Sequence, residues 1–163
     1  MNTIAVFCFD TPEGAQEMLA QVEHLLAEES LRIKDAALVT WPAEKEKPMI
    51  EYLNELDSGE GLGAAFWGLL LCRIFIIPSF GMAVGAAMGS LSGKFSDYGI
   101  GTSFMNDIAD KVVQGTSALF LMADEAEMYK VIQSAKQKEL HFEIITTSLS
   151  SEQEQQLAHD FRD

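Results

Sequence analysis

Three histidines, two cysteines and 25 carboxylates are the groups with which this chain of 163 residues could do chemistry. His24, His141 and His159 each stand alone, with no second His or Cys at metal-ligand spacing, so they read as surface or structural residues. Cys8 and Cys72 both fall in apolar runs, where a thiol behaves as a small hydrophobe. Two cysteines make neither a disulfide framework nor a zinc site. Gly59-Glu60-Gly61-Leu62-Gly63 has the glycine density of a phosphate loop. It lacks the Lys-Ser/Thr that would follow and puts an acid where phosphate would sit, so it reads as a hinge. Glu28-Glu29 and Glu152/Glu154 look like solvated helix faces, and no Ser/His/Asp order suggests a nucleophile elbow. The expectation is a protein that is not an enzyme, with no catalytic residue, no cofactor and no metal.

Charge and glycine divide the chain in three. Residues 1–60 carry 13 acidic and 4 basic groups, net -9; residues 61–101 carry only Asp97, Arg73 and Lys94, net +1; residues 102–163 carry 11 and 5, net -6. Ten of the twelve glycines lie between Gly59 and Gly101. Two acidic flanks, 1–60 and 102–163, therefore enclose a glycine-rich apolar insert, 61–101. The total of -14 repels phosphate backbones, which excludes nucleic acid as a partner, and disfavours anionic lipid. The opening MNTIAVFCFD has no basic n-region and no cleavage site, and reads as cytoplasm-facing.

The flanks must position whatever the insert does, and they share one grammar. Ile4–Phe9, Ala36–Trp41, Ser117–Met122 and Phe142–Thr147 have the composition of strands, while 48–53 fits either a hairpin strand or a helix start. Ala15, Met18, Leu19, Val22, Leu25 and Leu26 form a helical stripe expected to start from Asp10 as N-cap and Pro12 in the first turn. Phe104, Met105, Ile108 and Val112 form a second, closed by Gly115 in the manner of a C-cap glycine. Met128, Val131, Ile132 and Ala135 form a third, and Ser151-Glu152-Gln153-Glu154 is a capping-box pattern opening a last one. The order predicts an α+β fold: a ferredoxin-like split β-α-β sheet, with 1–60 and 102–163 as one domain and an inserted apolar helical hairpin.

From Gly61 to Gly93 the single charge is Arg73. The first arm holds Trp67, Gly68, Leu70, Phe75 and Ile76; Pro78-Ser79-Phe80 breaks it; the second arm places Gly81, Gly85, Gly89 and Gly93 one helical turn apart, on one face. Each glycine costs roughly 1 kcal/mol in a helix relative to alanine, so the row, with Gly68, is expected to pack closely against a neighbouring helix, a glycine zipper. Trp67, Leu70, Phe75, Ile76 and Phe80 are the expected contacts to a membrane or a core. Each arm reaches roughly 22 Å against a hydrocarbon core of about 30 Å, Arg73 is costly at a bilayer centre, and the flanks show no positive-inside bias. The apolarity nevertheless demands cover. Arg73 reads as a buried charge that pairs with an acid such as Asp97 or caps helix carbonyls; the alternative is a pore lining or a snorkelling anchor.

Trp67-Gly68-Leu69-Leu70-Leu71, the Pro78-to-Gly81 break, the glycine row, Ser96-Asp97-Tyr98-Gly99-Ile100 and Gly115-Thr116-Ser117-Ala118-Leu119-Phe120 together resemble the DUF1269 family, a bacterial group often labelled predicted membrane protein. The resemblance implies an α+β domain with an apolar hairpin, a bacterial inner-membrane location facing the cytoplasm, and for some relatives a stress connection. It implies no activity, and Arg73 departs from the family's usually uncharged first arm. The expectation is a non-enzymatic protein whose hairpin mediates homo-oligomerisation and membrane association, its partners being itself and the lipid bilayer. The alternatives are a fully soluble, cytoplasmic homo-oligomer with buried hairpins and a small-ligand-sensing ferredoxin-like domain.

Overall fold

The first apolar run becomes an interior strand of the sheet. In the computed structural model, which describes residues 2–53, 64–75, 100–153 and 155–156, it is strand β1 (Asn2–Phe9), buried at every position. Such a strand needs a neighbour on each edge and a layer on each face. Its edges are taken by β4 (Thr116–Asp124) and β5 (Glu143–Leu149). Beyond β4 lie β2 (Asp35–Trp41) and then β3 (Met49–Tyr52). The sheet order is β3-β2-β4-β1-β5, antiparallel throughout. The segment 48–53 thus returns as a hairpin strand, pairing Thr40 with Met49 through Ala37 with Tyr52. Since β1 and β2 both run against β4, they are parallel to each other, and β4 and β5 are likewise parallel with β1 between them.

The helices of these two crossovers, α1 (Gly14–Ala27) and α4 (Glu125–Gln137), cover one face. Ala15, Met18, Leu19 and Val22 from α1, with Met128, Val131 and Ala135 from α4, pack on Ala5, Phe7, Leu38, Leu119 and Leu121. Gln21 Nε2 donates to Ser134 Oγ at 2.7 Å, joining the two helices. The other face is covered by α2 (Ala64–Phe75) and α3 (Thr102–Lys111). There Phe66, Trp67, Leu70, Leu71 and Ile74 from α2, with Phe104, Met105 and Ile108 from α3, pack on Ile4, Val6, Val39 and Phe120.

The helix ends depart from their sequence signals. Asp10 and Pro12 do not start α1: the helix begins at Gly14, after Glu13, with no side-chain cap. The turn off β1 is too tight for an earlier start, since a Cβ on Gly14 would lie 2.5 Å from Phe9 Cβ. The orphan N–H of Ala15 instead donates to Ser117 Oγ at 2.9 Å, and that hydroxyl donates to the Thr11 carbonyl at 2.7 Å. Gly115 does not cap α3, which ends at Lys111 with Val112 extended. Gly115 takes φ +86 in the turn before β4, and its N–H donates to the Trp41 carbonyl at 2.7 Å. The capping box is displaced by one residue. Ser150 N donates to Gln153 Oε1 at 2.8 Å while Gln153 N donates to Ser150 Oγ at 3.1 Å.

Helices α1 and α4 end alike. Glu29 and Glu139 hold φ of 58 and 59, a left-handed conformation usually given to glycine. Around each, two reciprocal bonds close the helix: Glu29 N to Leu26 O and Ser30 N to Leu25 O, then Glu139 N to Lys136 O and Leu140 N to Ala135 O. Both are Schellman closures with glutamate in the glycine position.

Candidate functional site

Helix α2 is the part of the apolar segment that the structure describes, and its chemistry follows from where its stripe points. Positions 66, 67, 70, 71 and 74 recur at helical spacing, and all five side chains are at most 5% exposed. Trp67 is wedged between Phe66, at 5.1 Å and 84°, and Phe120 of β4, at 6.2 Å and 75°, both edge-on. Edge-to-face contacts of this kind add to what burial alone contributes. Its indole Nε1 is buried without a hydrogen-bond partner among the described residues. Leu70 is fully buried beside it. Phe75, at the last described turn, is half-buried and meets Trp41 edge-on at 6.2 Å. These three residues therefore contact the core of the sheet domain.

Two further residues singled out by the sequence lie off that stripe. Gly68 is half-buried, and a Cβ built on it would meet nothing within 4 Å among the described residues. No described neighbour approaches α2 backbone to backbone there. Arg73 is half-buried near the C-terminal end of α2, where a cation interacts favourably with the helix dipole. Ile76, Phe80, Gly81, Gly85, Gly89, Gly93 and Asp97 lie outside the described residues. No helix among the described residues is long and apolar enough to cross a membrane; α2, at twelve residues, rises about 18 Å.

A second place was missed by the sequence reading. Cys8, Phe9 and Asp10 at the end of β1, Lys111 and Thr116 flanking α3 and β4, and His141, Phe142 and Glu143 leading into β5 line a cleft of about 310 Å³. No local motif marks it, because its walls come from three separated stretches that only the register Cys8↔Glu143 brings together. Burial and the nearby Glu143 carboxylate push the Cys8 thiol up to about 11, against an ordinary value of 9.0. Lys111 forms an ion pair with Glu143. The hydrogen bond and charge of that carboxylate hold the ammonium above its usual range. At neutral pH the cleft thus presents a protonated thiol beside the Lys111–Glu143 ion pair.

The remaining titratable residues are dispersed. His24 pairs with Glu28 one turn on, at 3.0 Å, on the exposed side of α1. His141 is exposed at the cleft rim, and His159 lies outside the described residues. Asp35 is fully buried at the start of β2 and accepts from the Tyr52 hydroxyl at 2.6 Å, joining the β2-β3 hairpin under the α2 side. No group of three metal-ligating side chains occurs among the described residues.

A family model described as "Protein of unknown function (DUF1269)" matches residues 61–162, which span α2, α3, β4, α4 and β5. No curated protein and no solved structure matches the chain.

Proposed function

The chain belongs to the DUF1269 family, and we propose that it is a non-enzymatic, self-assembling protein whose glycine row, Gly81 to Gly93, mediates homo-oligomerisation. The observation that carries this reading is the state of α2. Its five large apolar side chains are already buried on the chain's own sheet, so the arm before the row serves the fold. The spacing of the row that follows predicts a helix, and four glycines in a helix cost roughly 4 kcal/mol without close packing. The same row on a second copy is a surface that fits it, since both backbones can approach closely.

The finer fold reading belongs to the same proposal. With β3 set aside, the strands run β2-β4-β1-β5, two interleaved β-α-β units of the ferredoxin-like kind, with α2 and α3 laid over the face that such a sheet otherwise leaves open. Membrane association is a second reading, favoured by one feature of the sequence: residues 74–93 carry no charged side chain. Twenty residues without a charge are about the length a bilayer-crossing helix needs.

Gly85→Leu and Gly89→Leu test the assembly. Each is expected to drive the backbones apart and lower the particle mass measured by light scattering, and an unchanged mass in both would overturn the packing role. Cell fractionation separates the two settings. Self-assembly alone leaves the protein in a detergent-free supernatant, whereas membrane association places it in the pellet until detergent is added.

A further inference from the structure

Strand β5 leaves β1 one residue before β4 does. Against β5 the last pair is Cys8↔Glu143, whereas against β4 the pairing continues to Phe9↔Ser117. The cleft of about 310 Å³ opens at that divergence, lined among others by Cys8, Asp10, Lys111 and Phe142. Its lining combines two things. One is a fixed apolar wall: Phe142 is half-buried, its ring edge-on to Phe7 at 5.4 Å and tilted against Phe9 at 6.1 Å. The Cys8 thiol, 7% exposed, extends that wall as a small hydrophobe. The other is charge of both signs, from the exposed Asp10 and Glu143 carboxylates and the Lys111 ammonium. Lys111 is the last residue of α3 and Glu143 the first of β5, so their ion pair bridges two elements at the cleft. Their side chains are 48% and 64% exposed, and exposed pairs of this kind contribute little to stability. A ligand that offers each partner a replacement charge can therefore open the pair at small cost.

We propose that this cleft binds a small zwitterion, a free α-amino acid with an apolar side chain, its carboxylate on Lys111, its ammonium on Glu143 and Asp10, and its side chain against Phe142. Charge selects the class. Among the described residues that line the cleft, two carboxylates accompany one ammonium, an arrangement that repels a phosphate or a dicarboxylate. A plain amine would leave Lys111 without the partner it now has, and a plain acid would do the same to Glu143. A molecule with one charge of each sign exchanges one exposed ion pair for two charge-assisted contacts. The Thr116 hydroxyl is already committed to Val113, accepting from its N–H at 2.9 Å and donating to its carbonyl at 2.6 Å, so polar recognition falls to the charged groups. Size agrees: a void of about 150 Å³ holds a benzene ring, so the cleft has room for an apolar side chain together with the two charged groups. It lies at the small end of ligand pockets, which run from about 300 to 1,000 Å³. The inference goes beyond self-assembly and does not rest on it, since neither the glycine row nor a second copy takes part.

Calorimetric titration of the full chain at neutral pH with L-leucine, L-methionine and L-phenylalanine tests it. At least one is expected to bind saturably. Removing either of its charges should weaken binding at least tenfold; for phenylalanine the two analogues are phenethylamine, which lacks the carboxylate, and 3-phenylpropionate, which lacks the amine. Lys111→Met and Glu143→Gln should each weaken binding of the amino acid at least tenfold while keeping the parent's circular-dichroism melt. The analogue series is read on the parent chain and is independent of how the substitutions fold. Absence of saturable heat with all three amino acids, equal affinity for the amino acid and both analogues, or an affinity unchanged in either variant overturns the proposal. Particle mass in Gly85→Leu reports on self-assembly alone, so the two proposals fail separately.

Discussion

The two faces of the sheet are covered by helices of different character. On one, α1 and α4 are ordinary amphipathic helices, each with one buried stripe and an exposed polar side. On the other, α3 is of that kind but α2 has no acidic residue in its first turn, and Arg73 is its single charge. Amphipathic helices announce which side is inside. A helix apolar on nearly every side announces only that it needs cover, and its neighbours decide where. Here the sheet takes one side of α2, and self-assembly is our account of what the following segment meets.

The comparison breaks first at Trp67. If α2 is as integral to the core as α1, Trp67→Ala should cost about 3–5 kcal/mol in urea unfolding, at least as much as Met18→Ala on the opposite face. A Trp67→Ala protein with an unchanged unfolding midpoint would show that the lid is dispensable. The Cys8 thiol, also on the α2/α3 face, sharpens the picture through pH. Its proton is held more tightly in the folded protein, up to about 11 from 9.0, so the associated stability is complete below pH 9. It is lost as pH rises through 11, about 2–3 kcal/mol in all. Cys8→Ala should flatten the alkaline end of the stability profile; a profile indistinguishable from the parent would refute the assignment.

Each face also has a buried polar fastening. Ser117→Ala removes the hydroxyl that joins the start of α1 to β4, and Tyr52→Phe removes a hydroxyl that donates to Asp35. Each is expected to lower stability by about 1–2 kcal/mol, measured by thermal melting. The smallest effect has the opposite sign and is confined to the α1/α4 face. Glu29→Gly and Glu139→Gly should each stabilise by up to about 1 kcal/mol, because glycine takes the left-handed conformation without strain. A loss of stability in both would mean that the glutamate side chains contribute something the backbone geometry does not reveal.

What could be read from the sequence follows the same division. The strands containing Ile4–Phe9, Ala36–Trp41 and Ser117–Met122 were legible from their apolar runs, and α1, α3 and α4 from helical spacing, because those signals are local. The start of α1 was not, since its cap is Ser117, over a hundred residues away, and Asp10 offered a better local signal. Gly115 suggested a helix end when the requirement was a positive φ before β4. For the candidate site, sequence spacing identified Trp67, Leu70 and Phe75 as contact residues but left core and membrane open, since one apolar stripe suits either. The cleft at Cys8 was illegible because its walls meet only once β5 registers on β1.

That pairing of β1 with β4 and β5 bears on how the molecule comes to exist. A ribosome delivers β1 before the two strands that flank it, 116–124 and 143–149, which emerge more than a hundred residues later. Eight sheltered positions must therefore wait, unmated, while the intervening residues are made. A nascent chain arrested before 116 holds a sticky ribbon with nowhere to dock, a natural target for chaperones, and the sheet closes only after its last strand has left the exit tunnel.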